Sequence, residues 1–244
     1  MNGRFLFLLL LPLFLLGGCS TTTVSENELA SGYEAAMHKI QQGYFQDAIA
    51  QLENLKQQTE EPRIRGRLEM GLIYAFYKKG DFNQVIQRAD SFFKQYPTHP
   101  QSAYVIFLRA MAYQKQGDAH LQKLMDKLSP AGEYPEELRH AYNEFAKLIK
   151  RYPDSAFAEE AHKHLPLIRQ KLARFELHNA RFDLMQERYQ EVLRRARYVQ
   201  EYYKNPLVRK EALSLMEKAY QALDQPDRAK KVARQIKELE ESLQ

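Results

Sequence analysis

"GYFQDAIAQLENL" (43–55) and "GDFNQVIQRADSFFKQYP" (80–97) decide the fold, because the second repeats the pattern of the first at a fixed distance. A third segment, "GDAHLQKLMDKL" (117–128), opens in the same way. Gly43, Gly80 and Gly117 are thus 37 residues apart, twice. A fixed period of about 20 to 50 residues marks a solenoid, and one near 34 marks helix–turn–helix pairs. Each glycine stands between segments with apolar residues at helical spacing, where glycine takes the left-handed conformation that ends a helix. After Gly80, the positions Phe82, Val85, Ile86, Ala89, Phe92 and Phe93 recur every three or four residues until Tyr96-Pro97 stops the helix. The same ending returns at Tyr152-Pro153, where Asp154 or Ser155 is placed to cap the next helix.

Extended outward, the pattern predicts helices over 28–42, 45–57, 62–79, 82–95, 101–116, 136–151, 155–185, 187–204, 207–223 and 227–242, with no strand. Pro166 falls inside the longest and is expected to kink it or start it afresh. "LSPAGEYP" (128–135) is the clearest loop and interrupts the third repeat. The units resemble tetratricopeptide repeats, with small or apolar residues at the start of the second helix matching at Ala48-Ile49, Val85-Ile86 and Ala229. The tryptophan common in that motif is absent, since the chain has none. The expected fold is therefore all-α, a right-handed superhelical solenoid of about five tetratricopeptide-like repeats.

The start of the chain has a different character. Met1 to Gly18 carries one charge, Arg4, then Phe5 to Leu16 without a polar side chain, then two glycines, which is the layout of a secretory signal. The run is too short to cross a bilayer, which needs about 20 apolar residues. It ends in Leu16-Gly17-Gly18-Cys19, which resembles a bacterial lipobox, and Cys19 is the only cysteine in 244 residues. A tethering role accounts for the lone thiol better than a buried cysteine or an intermolecular disulfide does. The expected mature chain runs from Cys19 to Gln244, with a polar spacer over 19–28, N-terminal repeats over 29–134 and C-terminal repeats over 135–244. Ser20, rather than Asp, after the cysteine resembles the outer-membrane sorting pattern of such lipoproteins. A lipid on Cys19 supplies the anchor, several acyl chains being needed for a stable one.

No catalytic constellation is visible. His162 and His164 are two residues apart, point to different sides of a helix, and are read as surface histidines. Glu60-Glu61, Glu136-Glu137 and Glu159-Glu160 stand at helix starts, where the dipole favours negative charge. Walker, dinucleotide-binding and nucleophile-elbow motifs are missing, so neither an enzyme nor a cofactor is expected. The formal charge of +5, or +4 once Arg4 leaves with the signal, is too mild and diffuse to imply nucleic acid. In the last helix Ala229, Val232, Ala233, Ile236 and Leu239 form an apolar stripe, leaving Arg228, Lys230, Lys231, Arg234 and Lys237 on solvated faces.

What stands out is 15 tyrosines and 13 phenylalanines. In a solenoid of helix pairs the first helix of each pair lines a concave groove. Aligning the repeat glycines brings Tyr33 and Met37, then Arg67, Met70, Tyr74, Tyr77 and Lys78, then Tyr104, Phe107 and Met111 to that side. Such a trough suits an apolar peptide ending in a carboxylate.

"LIYAFYKKGDF" (72–82), "QYPTHPQSAYVIFLRAMA" (95–112), "FAKLIKRYPDSAFAEEA" (145–161) and "EALSLMEKAYQAL" (211–223) resemble, in order, segments of the BamD family, lipoproteins of the outer-membrane β-barrel assembly (BAM) machine. "YPTHP" at 96–100 is the most specific, and "SPAGEYPEELRH" (129–140) departs from the family pattern. The resemblance implies a non-enzymatic scaffold on the periplasmic side of the outer membrane. Its C-terminal repeats would hold the membrane-proximal POTRA domain of BamA and its N-terminal repeats the C-terminal signals of unfolded β-barrel proteins, with other BAM lipoproteins alongside. Arg195 matches a family arginine implied in BamA contact, with Arg194 and Arg197 beside it. The rival is a pilotin-type repeat lipoprotein that localises a secretin or pilus component.

Overall fold

The computed structural model describes residues 25–126 and 134–243. Cys19, Ser20, the export signal and most of the 128–135 loop lie outside them. The described residues form ten helices and no strand: α1 (Glu26–Gln41), α2 (Phe45–Gln57), α3 (Pro62–Lys79), α4 (Phe82–Gln95), α5 (Ser102–Met125), α6 (Glu136–Arg151), α7 (Ala156–Met185), α8 (Tyr189–Tyr202), α9 (Pro206–Ala222) and α10 (Pro226–Glu241).

Helix starts follow from local side chains. Ser25 and Glu28 form a reciprocal capping box, so α1 begins inside the segment read as spacer. Glu61 caps α3 by accepting from the Ile64 amide at 2.7 Å, with Pro62 in the first turn. Ser155, rather than Asp154, caps α7 through the Phe157 amide.

Gly43 and Gly80 do close their hairpins in the left-handed region, at φ of 86° and 84°. Two further residues share that conformation: Glu187 at 55° between α7 and α8, and Asp224 at 52° between α9 and α10. They too are 37 residues apart. In all four turns the amide after the left-handed residue reaches back to a carbonyl five residues earlier: Tyr44 to Lys39, Asp81 to Phe76, Arg188 to Asp183 and Gln225 to Tyr220, at 2.9–3.0 Å.

Gly117 differs. It lies inside α5, which continues nine residues past the expected end at 116. A Cβ at Gly117 would stand 2.7 Å from the Leu138 backbone nitrogen, so this glycine lets the head of α6 approach α5. Pro166 likewise breaks nothing, and α7 is one helix of 30 residues. Pro166 and His162, whose carbonyl loses its usual donor, both lie on the exposed side, while Ala161 and Ile168 hold the helix on its buried side.

Consecutive helices pack in series, and the backbones of the first helices of neighbouring pairs approach each other (α1 with α3, α3 with α5, α5 with α7, α7 with α9), whereas second helices meet the next second helix only through long side chains such as Arg88 of α4 on Glu53 of α2. That asymmetry curves the stack, with first helices inside and second helices splayed outside. The core has two parts that meet in α5, which gives Val105, Leu108 and Ala112 to one and Ala103, Ile106 and Ala110 to the other.

An Ala in place of a helix-interior Gly ordinarily adds about 1 kcal/mol of stability. Gly117→Ala is expected to do the reverse and remove about 1–3 kcal/mol, since α6 must retreat from the added methyl. Urea denaturation measures it, and a stabilised variant would show that the contact relaxes freely.

Candidate functional site

Several of the side chains expected on the groove side of the first helices meet in a chain of aromatic contacts. Tyr33 of α1 carries the Arg67 guanidinium of α3 over its ring at 4.3 Å, and Arg67 also pairs with Glu34 at 3.0 Å. Tyr74 meets Tyr104 across α3 and α5 with ring centres 6.5 Å apart. Tyr104 meets Phe157 of α7 at 5.1 Å, and Phe157 meets Phe107 at 5.5 Å. A continuous path of rings therefore crosses three first helices. Tyr77 stands beside Phe82 at 5.9 Å, Met37 and Met111 are half-buried, and Lys78 is exposed at the foot of α3.

Met70 is a correction to the expected lining. It is 4% exposed and belongs to the core shared by α1 to α5, because its neighbours fill the space above it. Phe157 was missed by sequence, since no repeat glycine precedes α7 to bring it into alignment. His164 also changes place. Far from being a surface histidine, it stacks on Phe145 at 4.7 Å, meets the edge of Phe107 at 6.1 Å and bonds Gln114 at 2.8 Å. Burial pushes its pKa down, against the pull of Glu160.

Three phenols on these first helices share an electrostatic character. Burial raises Tyr33, Tyr77 and Tyr104, and the nearby Tyr74 raises the last two further. They stay neutral, and thus serve as both donors and acceptors, well beyond physiological pH.

At the head of the trough a cleft of about 980 Å³ opens between α1 and α3 on one side and the turn from Tyr96 to Gln101 on the other. Leu29, Ile64, Tyr33 and Arg67 form the first wall and Pro97, His99 and Pro100 the second. Gly66 makes room for this turn, because a Cβ there would lie 3.1 Å from His99 Nε2. "YPTHP" is legible in sequence as a helix stop, but its service as a wall is not, since that depends on how α4 returns to α3.

On α8 the three arginines separate. Arg195 turns inward, donating to Asp183 Oδ2 and Glu176 Oε2 of α7 at 2.9 Å each, while Arg188 holds the other Asp183 oxygen at 2.6 Å. Burial alone would lower the Arg195 pKa, but the bonds to Glu176 and Asp183 reverse this and hold it above its ordinary value. Arg194 and Arg197 are exposed, the first pairing with Glu191 and the second donating to the Tyr220 hydroxyl at 3.0 Å. Beside them Tyr198 and Tyr202, 4.6 Å apart, are exposed, as is Leu207 at the head of α9. These apolar neighbours have no counterpart in the repeat phase, which marks only the groove side of the first helices.

Among the described residues no group of three His, Cys, Asp or Glu is placed to hold a metal ion, and no helix is long and apolar enough to cross a membrane.

The inward turn of Arg195 has a measurable consequence. Arg195→Leu leaves the buried Glu176 without its partner and Asp183 with Arg188 alone, and is expected to cost about 2–3 kcal/mol, less than a fully dry pair because Arg195 keeps some water contact. Arg194→Ala should stay within about 0.5 kcal/mol. Equal denaturation midpoints for the two variants would refute the clamp.

Comparison with known proteins supplies the lineage. The chain is 28% identical over 220 residues to the outer membrane protein assembly factor BamD of Vibrio cholerae serotype O1, covering 89% of this chain and 91% of that one. It is likewise 28% identical over 224 residues to the protein of the same name from Pasteurella multocida, covering 91% and 86%. Among solved structures, BtubC from P. vanneervenii aligns with a TM-score of 0.43 at 11% identity, over 89% of this chain and 81% of that one. The model of the YfiO family, described as outer membrane lipoproteins, matches residues 25–235, which spans α1 to most of α10, and the chain belongs to that family.

Proposed function

We propose that this chain is a non-catalytic scaffold lipoprotein of the β-barrel assembly machinery, tethered by a lipid on Cys19 to the periplasmic side of the outer membrane. The observation that carries the reading is the unbroken path of aromatic rings across α3, α5 and α7 in a member of this family. Its first helices receive the C-terminal segment of an unfolded barrel protein, whose aromatic side chains lie on Tyr74, Tyr104, Phe107 and Phe157. Neutral phenols bond the peptide backbone without a charge to desolvate. Arg67 and Lys78, roughly 16 Å apart along α3 at 1.5 Å per residue, place a cation near each end for the terminal carboxylate. The half-exposed rings favour binding and release, since they offer contact area at low entropic cost.

The C-terminal repeats hold the POTRA domain of BamA, and the other lipoproteins of the machine assemble around the same scaffold. Arg194 and Arg197, with Tyr198 and Tyr202 beside them, form the contact. Arg195 keeps α8 in position behind them. A central aromatic pair flanked by arginines has the composition of interface hot spots.

Two experiments test the reading. Tyr74→Ala with Tyr77→Ala is expected to reduce photocrosslinking to a peptide ending in aromatic residues by about tenfold, on the order of 1.4 kcal/mol. Undiminished crosslinking would remove the trough from peptide binding. Arg194→Glu with Arg197→Glu is expected to abolish co-purification of BamA while leaving thermal stability near that of the parent. Full recovery of BamA with the double variant would displace the contact from α8.

A further inference from the structure

The face of α5 opposite the trough carries a second recess. At 100° per residue, Ile106 and Arg109 lie about half a turn away from Tyr104, Phe107 and Met111. Helices α4 and α6 both pack on α5, but their backbones do not approach each other, so the back of α5 is left as the floor of a recess of about 460 Å³. Ile106, Phe93 and Pro97 make that floor apolar. Arg109, 8% exposed, spans the recess beneath its rim by pairing with Asp90 of α4 and Glu144 of α6. Asp90 is exposed and itself lines the recess, and both carboxylates are paired with Arg109 from below.

The rim is left positive. Lys94 of α4 and Arg151 of α6 line it, and neither has an ion-pair partner among the described residues. Lys147 stands 4.0 Å from Glu144 and 5.9 Å from the Phe93 ring centre. The neighbouring gap between α2 and α4, across α3, is different: there Arg88 and Lys56 are matched by Glu53 and Glu69, two charges of each sign. Among the described residues, the gap between α4 and α6 combines an apolar floor with a lining in which cations outnumber carboxylates.

We propose that this recess is a docking site for an extended acidic peptide segment carrying one aromatic or large apolar side chain. The side chain lies on Phe93 and Pro97, while flanking carboxylates meet Lys94, Lys147 and Arg151, whose long stems cover the apolar edge. A recess between two helices suits a narrow chain, whereas a planar lipid surface would meet the rim and leave the floor empty. The site is independent of the trough and of the reading proposed for it.

The test is anisotropy of a fluorescein-labelled peptide of alternating Asp and Glu around one Phe, titrated with the full chain in detergent. Lys94→Glu with Arg151→Glu, both at exposed positions, is expected to weaken binding by about tenfold or more. Lys230→Glu with Lys231→Glu, which removes exposed cations from α10, is expected to leave it unchanged. The same peptide with Ala for Phe should bind less tightly, by about threefold to tenfold. The proposal is overturned if the α10 variant loses as much affinity as the recess variant, if the recess variant keeps the parent affinity, or if the recess variant loses binding to phosphatidylglycerol vesicles but not to the peptide.

Discussion

The left-handed residue that closes a helical hairpin is the constraint on which this structure depends. It lets the chain reverse in two or three residues and returns the second helix along the first with a fixed phase, so the apolar stripes of both meet. Gly43 and Gly80 adopt it at no steric cost, whereas Glu187 and Asp224 accept a strain on the order of 1 kcal/mol each. The strain persists because each turn is over-determined. The Arg188 amide bonds the Asp183 carbonyl while the Arg188 guanidinium bonds the Asp183 carboxylate, so one residue pair fastens both the backbone and the side chains of the turn.

Buried charge then locks first helices to second helices. Glu69 on α3 pairs with Arg88 on α4, and Glu176 on α7 pairs with Arg195 on α8; each arginine follows its carboxylate by 19 residues. The two pairs are 107 residues apart, as are the turns at Gly80 and Glu187, so they occupy one structural position two helix pairs on, with the longer α5–α6 unit between them. A carboxylate that is 4% or 7% exposed would be strongly destabilising alone, which makes the arginine a condition of the helix pairing and not an ornament to it. Arg195, which the family resemblance implies in a partner contact, thus also has a task within the fold.

The ten helices were legible because amphipathic spacing and stop signals act locally, and the bounds at α2, α3, α4 and α6 follow the sequence residue for residue. What was not legible depended on non-local packing. Glycine at 117 carries the same local signal as glycine at 43 and 80, but the approach of Leu138 and not a turn is what requires it. Conversely, "ERYQEVL" (187–193) follows the pattern of "GYFQDAI" (43–49), with Tyr189 in the place of Phe45, yet without glycine the repeat was hidden. In the trough, the positions on α1, α3 and α5 came from the repeat phase alone. Phe157 and the wall from Tyr96 to Pro100 enter it only through the packing of α7 on α5 and the return of α4 onto α3.

Helix α5 joins these levels, because it has a task on every side. Val105, Leu108 and Ala112 complete the core toward α1, while Ala103, Ile106 and Ala110 complete the core toward α10. Tyr104 and Phe107 face the trough, and Arg109 ties α4 to α6 behind it. A close-packed helix engaged on all faces does not deform gradually, so a displacement at one face must be met by movement at another. Tyr104 and Phe107 on one side and Arg109 on the other, about half a turn away, are thus separate surfaces built on one helix.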